Sequence, residues 1–381
     1  MYKIMTPGPT QVLENVRTAR SLECTNPDLD EQFVEFYKET CELISNLLNT
    51  KNETLILGGE GILGLEAACA SLTEPGDKVL VIANGVYGKG FADFVTMYGG
   101  IPELYLSDDK NEINVVELEQ FLEKHHDYKY ATVVHCDTPS GLLNPIKDIC
   151  PLLKRYNILS VVDSVSAMFG ENVLVDDWNI DILCGGSQKV VSAPPGLTLV
   201  TISEDAKNAM RNRKRPIASF YANLAVFEGY YERKWFPYTM PISDIYGLRA
   251  AFDNIKNDKD MLHRHSIIGE ATRQAITQSG LKLHLESGFS NTVTVFDVPE
   301  QITTEQILDK MKTDHNIMLA GSFDELEGKV IRIGHMGVNA NQKDMEETLS
   351  ALTKVLTQLG VTLHADLQEI FSNYYNTHIK N

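Results

Sequence analysis

Short runs of aliphatic and β-branched residues alternate along the chain with longer amphipathic stretches, the pattern of a mostly parallel sheet covered by helices. The runs are Thr54–Gly58, Lys78–Ala83, Pro102–Leu106, Tyr130–Cys136, Ile158–Val162, Asp181–Cys184 and Gly196–Ile202, each of strand rather than helix length. The predicted fold class is α/β, with these seven strands in one large sheet. After an aromatic, proline-containing loop around Phe236–Ile245, a helical stretch runs from Tyr246 to about Gly280 and reads as one helix bridging two domains. Beyond it, strand-like Thr292–Phe296 and Val330–Ile333 alternate with helix-like Thr304–Thr313 and Gln342–Leu359, a small α+β unit. The organisation predicted is an N-terminal arm over residues 1–15, a large domain over 16–255 and a smaller C-terminal domain over 256–381. The polar tail from Leu363 carries no predicted element.

Composition adds exclusions. The 381 residues are 43% hydrophobic and 23% charged, with 34 Lys and Arg against 52 Asp and Glu for a formal net charge of −18. Such a balance suits a folded body and repels phosphate backbones and anionic lipid, so neither nucleic acid nor a membrane is an expected partner. Cys24, Cys41, Cys69, Cys136, Cys150 and Cys184 form no C-x-x-C pair and read as reduced thiols; no metal site is expected. No apolar stretch has spanning length and the start Met1–Pro7 lacks a signal-peptide core, so the expected location is cytoplasmic.

Candidate chemistry lies just beyond the carboxyl ends of the strands, where open α/β sheets bind ligands. After the first strand comes Gly58-Gly59-Glu60-Gly61-Ile62-Leu63-Gly64, opening a helix and forming an anion cradle of backbone N–H groups. Gly59, Gly61 and Gly64 also satisfy G-x-G-x-x-G, which keeps a dinucleotide-binding dehydrogenase in view. Against it, the acidic residue that should bind ribose is missing: Asp77 precedes the second strand and Asn84-Gly85 follows it. Glu60 is moreover an awkward neighbour for a phosphate. The fifth strand runs into Asp163, and Lys189 lies beyond the next strand in Gly186-Ser187-Gln188-Lys189, ahead of the apolar, turn-rich Val190–Gly196. An amine there is partly desolvated, which lowers its pKa and frees its lone pair for a carbonyl. A phosphate cradle, a strand-end carboxylate and a buried lysine are together what pyridoxal 5′-phosphate needs. A non-catalytic binding protein remains the bland alternative.

Six ordered segments then carry a resemblance. Thr6-Pro7-Gly8-Pro9, Asn84-Gly85-Val86-Tyr87-Gly88, His135-Cys136-Asp137-Thr138-Pro139-Ser140-Gly141, Val162-Asp163-Ser164-Val165, Gly186-Ser187-Gln188-Lys189 with Ala193-Pro194-Pro195-Gly196, and Arg332-Ile333-Gly334-His335-Met336-Gly337 resemble the class V aminotransferases of fold type I. The nearest resemblance is to the alanine:glyoxylate and serine:pyruvate group. The resemblance implies Lys189 as Schiff-base lysine and proton carrier, Asp163 on the pyridine nitrogen, Tyr87 stacked on the ring and Val165 on its other face. Gly61, Ile62 and Gln188 match phosphate-binding positions, and Thr138 stands for a hydroxyl near the ring's 3′-oxygen where Pro139 departs from the pattern. Thr239 matches a phosphate contact lent across a dimer interface, so a homodimer with shared active sites is implied. Arg332 matches the residue that grips the substrate carboxylate, with Gly8 and Asn26 closing the pocket. Glu60 departs from the pattern too, standing where the family has a small hydroxyl residue.

The activity implied is ping-pong transfer of an amino group from alanine or serine to glyoxylate or pyruvate. A 2-aminoethylphosphonate:pyruvate aminotransferase and a pyridoxal phosphate-dependent lyase share the fold. The first would call for more positive charge in the pocket, and a desulfurase for a cysteine beyond Cys184, where the sequence has none.

Overall fold

The computed structural model describes residues 2–379. All seven predicted runs are strands: β1 (Glu53–Gly58), β2 (Lys78–Ala83), β3 (Ile101–Leu106), β4 (Tyr130–Val134), β5 (Leu159–Asp163), β6 (Ile182–Gly186) and β7 (Leu197–Ile202). They form one sheet in the order β1-β7-β6-β5-β4-β2-β3, in which β7 alone runs antiparallel to its neighbours. The central strands β4, β6 and β7 are buried throughout, which is why they read as unbroken apolar runs rather than alternating ones.

Three helices frame the site end of this sheet. Helix α1 (Glu31–Leu47) packs Phe33, Val34, Tyr37 and Ile44 into the core, and its Tyr37 hydroxyl donates to the Ile56 carbonyl of β1 at 2.8 Å. Helix α2 (Gly61–Leu72) follows β1 and helix α3 (Val86–Met97) follows β2. In α2 the small face of Gly64, Ala67, Ala68 and Cys69 is buried; a Cβ at Gly64 would run into Thr198 of β7, so the glycine sets how closely helix and sheet approach.

The stretch predicted as one bridging helix is two, α4 (Ile242–Asn257) and α5 (Met261–Gln278). The break at Asp258–Asp260 is held by the Arg264 guanidinium, whose Nη1 and Nη2 donate to the two Asp258 oxygens at 3.0 and 2.5 Å. That bidentate, charge-assisted pair fixes the turn between the two helices. Strands β8 (Val293–Asp297) and β9 (Val330–Gly334) pair antiparallel, backed by α6 (Gln342–Gln358). The tail forms a further helix, α7 (Leu367–His378), capped by Asp366 and burying Leu367 and Phe371 against the second core. Leu367, Phe371 and Tyr375 recur at four-residue spacing, a helical stripe hidden among polar neighbours.

Two hydrophobic clusters result, one under the large sheet and one running from Ile267 to Tyr375 that also takes in Met5 from the N-terminal arm. The arm reaches it because Lys3–Ile4 pair in parallel with Ile317–Met318. All six cysteines are free thiols, and only Cys24 is exposed.

Candidate active site

A cavity of about 280 Å³ opens at the carboxyl ends of β1, β5 and β6, lined among others by Gly8, Glu60, Tyr87, Asp163, Gln188 and Lys189. Of the residues singled out from the sequence, Ile62, Thr138 and Val165 line it as well. Chain order hides this gathering: parallel strands deliver all their following loops to one edge of the sheet.

Lys189 follows β6 in a tight loop and its Nζ donates to the Pro7 carbonyl of the N-terminal arm at 2.6 Å. Burial, with the Arg332 guanidinium nearby, lowers its pKa to about 8. Gly8 (φ +107°) lies flat against this side chain; a Cβ there would stand 2.7 Å from Lys189 Nζ. Asp163 ends β5 with its carboxyl withdrawn from water and accepts the Val165 N–H at 2.9 Å. Desolvation drives its pKa up to about 7, against the pull of that N–H and of Lys189. A carboxyl and an amine thus share the cavity with their proton affinities brought close together.

Tyr87 sits in the first turn of α3, anchored by its own N–H donating to Asp137 Oδ1 at 3.0 Å. The same carboxyl accepts the Ser140 hydroxyl at 2.7 Å, and a Cβ at Gly85 would overlap it. Asp137 is therefore the fastening of the Tyr87 turn, a part the sequence reading quoted within a motif but gave no role. The Pro7 carbonyl is the other missed participant; a backbone oxygen has no signature in sequence. Thr138 shares a hydrogen bond with Ser166 across the cavity wall. Behind Thr138 stands Arg332, whose Nε donates to the Gly321 carbonyl at 2.5 Å and whose Nη1 reaches the Thr138 carbonyl at 3.4 Å. Its guanidinium lies 5.9 Å from the Phe323 ring centroid.

On the β1 side, Gly61 begins α2 with no room for a side chain, because a Cβ would press on Val165. Glu60 is the N-cap of α2: its Oε1 accepts the Ile62 N–H at 3.1 Å and its Oε2 accepts the Gln188 amide at 2.7 Å. Gln188 Oε1 is buried without a partner. Four predicted residues do not line this cavity: Gly61 and Arg332, which sit behind its wall, and Asn26 and Thr239, which lie on the surface. Asn26 is exposed and caps its own loop, accepting the Asp28 N–H at 3.0 Å. Thr239 donates to Asp28 Oδ2 at 3.3 Å on the surface.

Among the described residues no group of three or more His, Cys, Asp or Glu is placed to hold a metal ion, and no helix is long and apolar enough to cross a membrane.

Comparison with known proteins fits this geometry. Residues 6–321 match the family described as Aminotransferase class-V. The chain is 34% identical over 362 residues to an uncharacterised aminotransferase of Methanocaldococcus jannaschii, covering 94% of this chain and 93% of that one. It is 33% identical over 344 residues to the pyridoxamine–pyruvate transaminase of Mesorhizobium japonicum, covering 87% and 86%. Among solved structures, the ureidoglycine–glyoxylate aminotransferase of Bacillus subtilis superposes with a TM-score of 0.94 at 28% identity, covering 99% of this chain and 98% of that one.

The enzymes of this family work with pyridoxal 5′-phosphate, and the donor set of the cavity fits its ring and its aldehyde. A buried carboxyl at a strand end suits a pyridine nitrogen, an amine whose pKa is lowered suits an aldehyde, and Tyr87 and Val165 in the lining are of the kind that would wall an aromatic ring. The sequence motifs, the sheet order and the lysine-bearing cavity converge on one conclusion: the chain belongs to the class-V aminotransferases, pyridoxal 5′-phosphate enzymes of fold type I that carry amino groups to 2-oxo acids.

Proposed function

We propose that this chain moves an amino group from a small L-amino acid, alanine or serine, to glyoxylate or pyruvate, working as a homodimer. The observation that carries the reading is Lys189 Nζ, its pKa lowered to about 8, in one cavity with Asp163. The bound cofactor supplies a carbonyl for the donor amine and a ring that accepts electrons from the substrate carbon. Lys189 takes the proton from the substrate α-carbon as its neutral amine and returns it to the cofactor's exocyclic carbon, which an amine titrating near 8 does well at neutral pH. Asp163, as carboxylate, holds the proton on the pyridine nitrogen. Arg332 orients the substrate through a forked pair of N–H donors on its α-carboxylate. Tyr87 and the wall of Thr138 and Ser166 keep water from the reacting carbon.

The dimer reading rests on Thr239, a cofactor contact in the resemblance that lies outside its own chain's cavity and is left facing solvent. Exposed Phe220, Tyr221 and Trp235, at 60%, 55% and 50%, supply the apolar surface such an interface buries. Light scattering of the purified protein checks this directly: a monomer at micromolar concentration overturns the shared site.

The test of the reaction is the absorbance between about 300 and 500 nm, where the bound cofactor is a chromophore. Loss of the visible band with L-alanine or L-serine, and its return with glyoxylate or pyruvate, is expected. A second reading, in which pyridoxamine takes the donor's place, draws on the Mesorhizobium japonicum relative named for that reaction. The observation favouring it is that the Glu60 carboxylate takes up the Ile62 N–H and the Gln188 amide, donors at two of the positions the resemblance assigns to the phosphate.

A further inference from the structure

We propose that Glu60 converts the anion cradle at the head of α2 into a hydroxyl-accepting site, so that the pocket selects pyridine vitamers lacking the phosphate, pyridoxal and pyridoxamine, as exchangeable substrates. This rests on the transaminase reading and deepens its second form by naming the residue that selects. The phosphate positions matched from the sequence are Gly61, Ile62 and Gln188. Two of these three present their donors to Glu60 instead: the Ile62 N–H at 3.1 Å and the Gln188 amide at 2.7 Å. What the Glu60 and Gln188 side chains offer a ligand here is then acceptors, namely the remaining lone pairs of the Glu60 carboxylate and Gln188 Oε1, which is buried and has no partner. Gln188 is 6% exposed, so water is a poor substitute for a missing donor.

A phosphate monoester at neutral pH brings close to two negative charges and acceptor oxygens. It meets a carboxylate and an orphan acceptor, and Lys189 is the one Lys or Arg among the described residues lining the cavity. A hydroxymethyl group brings the opposite chemistry, one O–H donor and no charge, which answers an acceptor at either residue. The helix end still favours an anion, but the chain supplies that anion itself as the Glu60 cap.

The reaction that follows is balanced without further reagents. Pyridoxamine and a 2-oxo acid give pyridoxal and a 2-amino acid; the exocyclic carbon loses two electrons and the keto carbon gains them. The amino nitrogen crosses with the electron pair, and Lys189 Nζ carries the proton between the two carbons.

The experiment titrates the full-length protein separately with pyridoxal and pyridoxal 5′-phosphate, following the visible band, for the parent, Glu60→Ser and Glu60→Gln. The expected result is that the ratio of the two dissociation constants moves toward the phosphate ester by at least about tenfold in Glu60→Ser. Glu60→Gln, which keeps the cap and removes the charge, moves it in the same direction by less. An unchanged ratio in both variants, with circular dichroism matching the parent, overturns the proposal. A parallel assay mixes pyridoxamine with pyruvate and measures pyridoxal and alanine. Formation of both supports the substrate class, and their absence from a parent that binds pyridoxal overturns it. If no donor at all is turned over while the ratio still moves, the transaminase reading fails and the Glu60 selectivity stands.

Discussion

At the β5 side of the cavity Asp163 receives one backbone N–H and titrates near 7, while at the β1 side Glu60 receives a helix N-terminal N–H and a side-chain amide. Both are carboxylates at strand ends of one sheet. The first is starved of partners, and a positive donor such as a protonated ring nitrogen would answer that demand. The second is already answered by the protein, and what it keeps is spare acceptor capacity. The difference teaches that residue type places a group in a site, whereas the supply of hydrogen-bond donors around it decides what ligand it wants.

The sharpest way to break the comparison is to remove the amine that lies near both carboxylates. Lys189→Ala is expected to lower turnover by about 10⁴-fold or more and to leave no cofactor covalently retained after borohydride reduction and denaturation; turnover at the parental rate sinks the mechanism. Asp163→Asn keeps the shape and the Val165 hydrogen bond but loses the charge. Turnover is expected to fall by about 10²-fold or more with the cofactor still bound, measured by steady-state rates beside a spectrum. Arg332→Ala is next, expected to raise the 2-oxo acid KM by about 10–100-fold with a smaller change in kcat, since a forked charge-assisted contact is lost.

The smallest effect concerns folding and turns on sign. Asp163 titrates near 7 in the cofactor-free fold against an ordinary 3.8, so between those values the native state holds the extra proton. Stability contributed by that proton is present below about pH 4 and is lost as pH rises through 7. Cofactor-free Asp163→Asn is therefore expected to be more stable than the parent above pH 7, by about 4 kcal/mol, and to lose that advantage near pH 4. Equal denaturation midpoints at both pH values would show that Asp163 carries no such strain.

The strands and the two reactive groups were legible because each has a local cause: β-branched runs make strands, and an acid or a lysine at a strand end is placed by topology. Asp163 and Lys189 needed no contact to be noticed. Asp137 was harder to read because its work is to hold the Tyr87 turn, fifty residues earlier in sequence. The break at Asp258–Asp260 escaped because no proline or glycine marks it; Arg264 pays for it from the next helix. Thr239 matched a family position and Asn26 was expected to close the pocket, but both lie outside the cavity of their own chain, which no pattern within one chain reports.

The N-terminal arm has a consequence for synthesis on the ribosome. Lys3 and Ile4 find their strand partners at Ile317 and Met318, and the carbonyl that receives Lys189 Nζ belongs to Pro7. Residues 3 and 4 cannot take up this pairing until residues 317 and 318 have been made. The large sheet, complete by Ile202, can assemble long before then, leaving its reactive amine without its backbone partner. The segment that partners Lys189 Nζ is thus fastened by strand partners made much later in the chain.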